Sequence, residues 1–274
     1  MNHSRKQFIL QALEEDIGRG DLFSRCNEKN KKLNAFIVTR GKGVLAGEKY
    51  IKYLCKLEDI EYEFTKKDGE EIEKGDEIAT FSAKANTLLK CERTLLNILQ
   101  HASGIATHTH NFVQKANGLR VLDTRKTRPL LREFEKYSVR VGGGTNHRMG
   151  LDDTLMLKDT HLATIKNLKE FVVVAREKIP WTSKIECECV DIEVAKKAFK
   201  AGVDIIMCDN MSLFEIREVV ALRDSEYPHV KLEASGNITI ENIQDYTSLG
   251  VDAISTGSII HQATWLDFSM KIAT

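Results

Sequence analysis

Only three prolines occur in 274 residues, and no Ser/Gly-rich or low-complexity stretch interrupts the chain. Flexible tethers between independent domains are therefore not expected. An excess of one charge is also missing, since 40 basic residues balance 40 acidic ones. Nucleic-acid-binding domains carry a strong basic excess, so nothing here supports a polynucleotide partner. No apolar run approaches the roughly 18 residues that a membrane-spanning helix needs. The opening Met-Asn-His-Ser-Arg-Lys-Gln-Phe-Ile-Leu has neither an apolar h-region nor a small-residue cleavage site, which argues against a secretory signal. The cysteines (Cys26, Cys55, Cys91, Cys187, Cys189, Cys208) are irregularly spaced and form no C-x-x-C. That pattern argues against a disulfide framework or a zinc site and fits a reducing cytoplasm. Neither a P-loop nor a dinucleotide-binding glycine fingerprint is present, and His108-Thr109-His110 lacks the i,i+4 spacing of a helical metal site.

The two halves of the chain read differently. Residues 4–16 have the pattern of an amphipathic helix stopped by Gly18, and 33–46 read as strands around Gly41 and Gly43. Turn glycines 69 and 75 lie between short apolar runs, predicting a hairpin over 68–82. Residues 92–113 have helical spacing, with Gly104 as a bend. Residues 1–104 are therefore expected to form an α+β domain. From 105 to 274, strand patterns at 120–125, 154–158, 184–189, 204–208, 230–235 and 252–256 alternate with helical ones at 161–178, 191–201, 212–224 and 240–249. Such alternation implies parallel strands with right-handed crossovers. Ala-Gly-Val-Asp-Ile-Ile (201–206) is echoed by Leu-Gly-Val-Asp-Ala-Ile (249–254), each a helix-ending glycine followed by a buried strand. Six βα units fall short of eight. The fold class expected is α/β, an incomplete or irregular (β/α) barrel preceded by the α+β domain, with a last helix packing back on that domain.

In such barrels, polar residues at strand C-termini carry function. Here those ends bear Arg125–Lys126, Lys158–Asp159, Glu188, Asp209, Glu233–Ser235 and Ser255–Gly257. The cations are concentrated: Arg125, Lys126, Arg128, Arg132, Arg140, His147, Arg148 and Lys158 all lie between Leu122 and His161. Fixed cations beside strand ends and glycines suit a small ligand with several negative charges. Gly142-Gly143-Gly144 reads equally well as a flexible turn or as backbone approaching a ligand. Lys158 is open to three readings: Schiff-base nucleophile, anion ligand, or snorkelling side chain, of which a charged anion ligand is preferred. Glu186 and Glu188 share one face of a strand, with Glu186 the more structural of the two. Glu188 and Asp209 suit either counter-charge or binding of hydroxyls and a divalent metal, because oxygen ligands suit Mg²⁺. Glu233–Thr239 and Ser255–Ser258 are small Gly-bearing loops after the last two strands, a usual place for a phosphate.

End to end, these residues resemble the quinolinate phosphoribosyltransferase family, also called nicotinate-nucleotide pyrophosphorylases (carboxylating). The resemblance is carried by Glu14–Asp21, Glu92–Asn97, Ser103–Thr107, Asp123–Thr127, Gly142–Gly150, Leu157–Asp159, Cys208–Asn210, Glu233–Gly236 and Gly250–Asp252. It implies transfer of a phosphoribosyl group from phosphoribosyl pyrophosphate to the ring nitrogen of quinolinate, with loss of carbon dioxide and pyrophosphate. It further implies that Thr124, Arg125, Lys126, His147, Arg148 and Lys158 surround quinolinate and the adjoining phosphates. Glu188 and Asp209 would hold the ribose hydroxyls and Mg²⁺, and Ser235, Gly236 and Gly257 the 5′-phosphate. Lys126, Lys158, Glu188 and Asp209 would bear most directly on catalysis. Arg93 would reach the site of the other subunit of a cytoplasmic homodimer, itself open to further assembly. Asn237 stands where the family commonly has glycine, and Arg128 and Leu130 where it has threonine and glycine. Rival readings are a paralogous barrel associated with molybdenum transport, an aldolase-like enzyme using Lys158, and a non-catalytic phosphate-binding protein.

Overall fold

The computed structural model describes residues 3–273. In chain order the first elements are α1 (His3–Ile17), α2 (Leu22–Cys26), β1 (Lys32–Thr39), β2 (Gly43–Val44), α3 (Glu48–Leu57), β3 (Glu61–Phe64), β4 (Glu71–Ile72), β5 (Glu77–Lys84) and α4 (Ala85–Lys115). Next come β6 (Arg120–Leu122), α5 (Arg132–Val141), β7 (Leu155–Leu157), α6 (Asp159–Leu162), α7 (Leu168–Lys178), β8 (Ile185–Cys189), α8 (Ile192–Ala201), β9 (Ile205–Asp209) and α9 (Leu213–Glu226). The chain ends with β10 (Lys231–Ser235), a 3₁₀ turn at Ile243–Tyr246, β11 (Ala253–Ser255), α10 (Ser258–His261) and β12 (Phe268–Ile272). Two compact units result, one from residues up to 110 with 128–143 and 262 onward, the other from 111–127 and 144–261.

The first unit is built on an antiparallel sheet of order β12-β1-β5-β3. α4 buries Leu88, Cys91, Leu95, Leu99, Ala102 and Ala106, a stripe at the spacing of one helix face. Ile37 of β1, Phe81 of β5 and Phe268 of β12 share its apolar cluster. Three expectations are corrected here. The helix runs unbroken through Gly104; the glycine is needed because a Cβ there would lie 2.3 Å from the Thr264 carbonyl oxygen. The 68–82 segment turns at Gly75 (φ +98°), but its strands are not hairpin partners: β4 pairs with β2, and β5 with β1 and β3. The element that returns to this unit at the C-terminus is a strand, with Phe268 opposite Thr39 and Ile272 opposite Ala35. α5 (Arg132–Val141) also belongs to this first unit.

The second unit is a six-stranded parallel sheet of order β6-β11-β10-β9-β8-β7. The middles of its strands are buried, and β8 (Ile185–Cys189) has four of five residues inaccessible, the pattern of a sheet covered on both faces. The repeated Gly-Val-Asp does the same work twice. Gly202 (φ +80°) and Gly250 (φ +89°) adopt the left-handed conformation. Each following aspartate then accepts from an amide of a neighbouring strand segment, Asp204 from Ile185 at 2.8 Å and Asp252 from Leu232 at 2.9 Å. These carboxylates serve amides at strand starts.

β6 and β7 are the sheet's edge strands, so the ladder is not closed by strand pairing. The 145–148 segment lies at this opening: Thr145 bridges to Leu122 of β6, and the Arg148 guanidinium donates to the Thr154 carbonyl that leads into β7. Two predicted helices differ from expectation. The 161–178 pattern is divided into α6 and α7, because Asn167 caps a fresh start by accepting from the Glu170 amide. Residues 240–249 form only the 3₁₀ turn; Asn242 bonds the Thr239 amide and Asn237 carbonyl, side-chain bonds that compete with helix.

Candidate functional site

Parallel strands bring their C-terminal ends to one edge, and that edge of the second unit holds a cavity of about 560 Å³. Thr124, Arg125 and Lys126 enter it from the segment after β6, and His147 and Arg148 from the segment at the sheet opening. Lys158 follows β7, Glu188 sits near the end of β8, and Asp209 ends β9. Ser235 and Gly236 come from the end of β10. Ten sequence-predicted residues therefore line one cavity. Arg93 does not; it is exposed on α4 in the first unit. Gly257 is not a lining residue either. A Cβ at that position would lie 2.9 Å from Lys126 Cδ, so its bareness leaves room for the lysine stem.

Two of the cations are tied to carboxylates. Lys158 ion-pairs with Glu188. An amine nucleophile must be neutral, and a carboxylate partner is the wrong setting for it. His147 is held from several sides. Its backbone N–H donates to Asp123 Oδ1 at 2.8 Å, and the Arg148 N–H donates to Nδ1 at 2.7 Å. Its Nε2 lies 3.3 Å from Glu186 and 3.2 Å from Glu233. Burial pushes the ring's pKa down, but the two carboxylates outweigh it and push it up to about 10. The Arg148 amide opposes a second ring proton, which would face another N–H on Nδ1. Both arrangements keep a proton on Nε2, which is the state the geometry supports. Burial raises the Glu186 pKa, reinforced by the nearby Glu233 charge although His147 lowers it. The Arg148 pKa is lowered, first by burial and then by the Arg125 charge. Arg125 and Arg148 thus face the same cavity, a setting that suits an anion.

The floor and rim include two residues that the sequence reading passed over. Met156 and Met207 give the cavity apolar surface, and the Met156 sulfur lies 3.5 Å from the Arg148 guanidinium. Asn210 (φ +56°), Gly236 (φ +94°) and Asn237 (φ +50°) are all left-handed. Asn210 donates to Asp209 at 2.8 Å and accepts from Asn237 at 3.0 Å. Asn237 thus takes up a glycine-favouring conformation that asparagine tolerates, and contributes a hydrogen bond to Asn210. Ser255 Oγ is buried in the cavity wall with no hydrogen-bond partner among the described residues. The Glu186–Glu233 pair was legible only as period-two spacing, each lying two residues before a cavity residue.

Among the described residues, Arg128 and Leu130 act within the first unit. The Arg128 guanidinium bonds Glu135 at 2.7 Å and His101 at 3.1 Å. Leu130 is 93% exposed at φ +66°, so the glycine-like turn remains although the residue is leucine.

The chain is similar over nearly its whole length to known proteins. Models of the quinolinate phosphoribosyl transferase N-terminal and C-terminal domains match residues 21–103 and 105–271. A Bacillus subtilis protein named "Probable nicotinate-nucleotide pyrophosphorylase (carboxylating)" is 39% identical over 277 residues, covering 99% of this chain and 95% of the relative. The crystal structure of NadC from Streptococcus pyogenes superposes with a TM-score of 0.92 at 37% identity, covering 98% and 96% of the two chains. That of nicotinate-nucleotide pyrophosphorylase from Ehrlichia chaffeensis does so with 0.92 at 34% identity, covering 100% of both. With both domain models matched in order and the cations gathered where the parallel strands end, the chain belongs to the quinolinate phosphoribosyl transferase family.

Proposed function

We propose that this protein transfers the phosphoribosyl group of phosphoribosyl pyrophosphate to the ring nitrogen of quinolinate. Pyrophosphate and carbon dioxide leave, and nicotinate mononucleotide is formed for NAD synthesis. The observation that carries this reading is the convergence of Arg125, Lys126, His147, Arg148 and Lys158 on one cavity. Quinolinate is a dianion and its donor a polyanion, so holding both together requires fixed cations. Met156 beside Arg148 offers the apolar surface that a flat pyridine ring needs. The left-handed run at Gly236–Asn237, with Ser235, suits a 5′-phosphate, because such backbone turns N–H groups toward an anion.

The ring nitrogen donates its lone pair to the ribosyl carbon as the bond to pyrophosphate breaks. Positive charge develops at that carbon and negative charge on the leaving oxygen. Lys126, Lys158 and the arginines favour the latter most when the bond is breaking, which is where stabilisation accelerates the step. The alkylated ring then draws in the electrons of the C2–carboxylate bond, and C2 takes a proton as carbon dioxide departs. The chain's part is to position and neutralise, and no dedicated general base is required. Glu188 and Asp209, oxygen donors from adjacent strands, fit Mg²⁺, which favours one or two carboxylates together with substrate phosphates. When bound there, the ion would neutralise part of the pyrophosphate charge.

Arg93 enters this reading from a second subunit. Its exposure on α4 leaves it available to a partner's cavity in a homodimer. Six free cysteines, five of them buried, accord with a cytoplasmic setting. No described helix is long and apolar enough to cross a membrane. The test is to supply purified protein with quinolinate, phosphoribosyl pyrophosphate and Mg²⁺ and to measure nicotinate mononucleotide and pyrophosphate. A parallel reaction uses nicotinate in place of quinolinate. Folded protein that forms no product from quinolinate, or that uses nicotinate equally well, would refute the reading.

A further inference from the structure

Glu186 and Glu233 lie one layer beneath the cavity. Each is two residues before a cavity residue on its own strand, Glu188 on β8 and Ser235 on β10, so each side chain shares that residue's face of the sheet. Both carboxylates are buried, with side chains 0% and 4% exposed. Each keeps one oxygen without a hydrogen-bond partner among the described residues. Burying two carboxylates in one place is costly, and their replacement by neutral groups often leaves stability unchanged or raises it. A reason other than stability is therefore needed to explain them. Both carboxylates contact the same side chain at hydrogen-bonding distance, that of His147, through Nε2.

We propose that Glu186 and Glu233 are positioning residues that hold the His147 imidazole from below and, through the shared backbone, set Arg148 against the quinolinate half of the cavity. The inference rests on the reading of the site given above. His147 is held by Asp123 on its backbone N–H, by the Arg148 amide on Nδ1, and by the carboxylate pair on Nε2. The first two are local or backbone bonds. The carboxylate pair is what bears on the ring tip itself. Release of the tip frees the ring to rotate, removes the Nδ1 acceptor from the Arg148 amide, and loosens the guanidinium from Thr154 and Met156. The three side chains are also close enough to hold a metal ion, with ligand atoms within 4.8 Å of one another. Direct contact of Nε2 with both carboxylates favours a shared proton over an ion.

The experiment compares wild type with Glu233→Gln, Glu186→Gln, His147→Ala and the His147→Ala/Glu233→Gln double variant. Quinolinate KM, phosphoribosyl pyrophosphate KM, kcat and Tm are measured for each, with bound metal assayed by elemental analysis. Each glutamine variant should keep or raise Tm and raise quinolinate KM about tenfold, the loss typical of a hydrogen bond to a charged group. The phosphoribosyl pyrophosphate KM should stay within about twofold. The double variant should be no worse than His147→Ala, because positioning has nothing left to act on. Quinolinate KM at the wild-type value in both glutamine variants would overturn the proposal, as would losses that multiply in the double variant. Unfolding of both glutamine variants would make the pair structural and overturn it too. One equivalent of divalent metal in the wild type, lost in Glu233→Gln, would replace it with a metal centre. If the wild type forms no product from quinolinate, the reading of the site itself falls and this inference falls with it.

Discussion

Substituting Gly236 by alanine should damage the phosphate end of the cavity in a way that can be separated from ordinary turn strain. The backbone there has φ +94°, and a Cβ would lie 2.3 Å from Asn210 Oδ1, 2.5 Å from its Cγ and 2.8 Å from its backbone nitrogen. Rotating the Asn210 side chain cannot relieve the last of these contacts, so backbone must move as well. Left-handed strain costs ~1–2 kcal/mol for an L-residue, and overpacking adds ~1–3 kcal/mol. Gly202→Ala supplies the control in the same unit. It has φ +80° with nothing within 4 Å of the added carbon, and therefore carries only the first cost. In thermal unfolding, where ~1 kcal/mol corresponds to roughly 2–4 °C in a chain of this size, Gly236→Ala should melt about 2–12 °C below Gly202→Ala.

The functional consequence follows from Asn210. Displacing it strains its bonds to Asp209 at 2.8 Å and Asn237 at 3.0 Å. The KM for phosphoribosyl pyrophosphate should rise about tenfold or more in Gly236→Ala, as expected when phosphate hydrogen bonds are lost, while quinolinate KM changes little. Equal melting temperatures for the two variants, or an unchanged donor KM in Gly236→Ala, would refute the reasoning.

Further predictions concern both units. Burial pushes the Glu135 carboxyl up, but His101 and Arg128 outweigh it and hold its pKa below the usual 4.5. The resulting stability is complete above that value and is lost as pH falls through the lower folded pKa. Arg128→Ala should therefore destabilise by ~1.5–3 kcal/mol near neutrality, with the gap to wild type narrowing in acid; a gap that widens on acidification in a melting series from pH 7 to 3 would contradict this. Mixing Arg93→Ala with Lys158→Ala, each nearly inactive alone, should recover about a quarter of wild-type activity through heterodimers with one intact site; no recovery after subunit exchange would exclude a shared site. Cys26 is exposed and the other five thiols are buried, with burial pushing Cys55, Cys91 and Cys208 up to about 12. A thiol reagent at neutral pH should titrate one cysteine quickly in native protein and six after denaturation; two or more fast thiols would contradict the packing.

The six parallel strands were legible because each is a short apolar run bounded by turn residues, and both signals lie within about ten residues of sequence. Gly202 and Gly250 were readable for the same reason: a left-handed residue followed by Val-Asp is local chemistry. The cations at 125–126 and 158 could be assigned to strand ends for that reason too. β12 could not be anticipated, since Phe268–Ile272 is too short and mixed to declare its state until β1, more than 200 residues earlier, supplies the hydrogen bonds. The 68–82 segment misled because a turn between two strands resembles a hairpin whichever sheets the strands join.

From sequence alone, then, came the strand–helix order, the turns, the family and most cavity residues, all of which depend on side chains a few positions apart. Tertiary structure decided which strands pair, why Gly104 must be bare, and that Glu186 and Glu233 close on His147. Those features depend on atoms brought together across tens to hundreds of residues, and their energies exist only once the chain has packed.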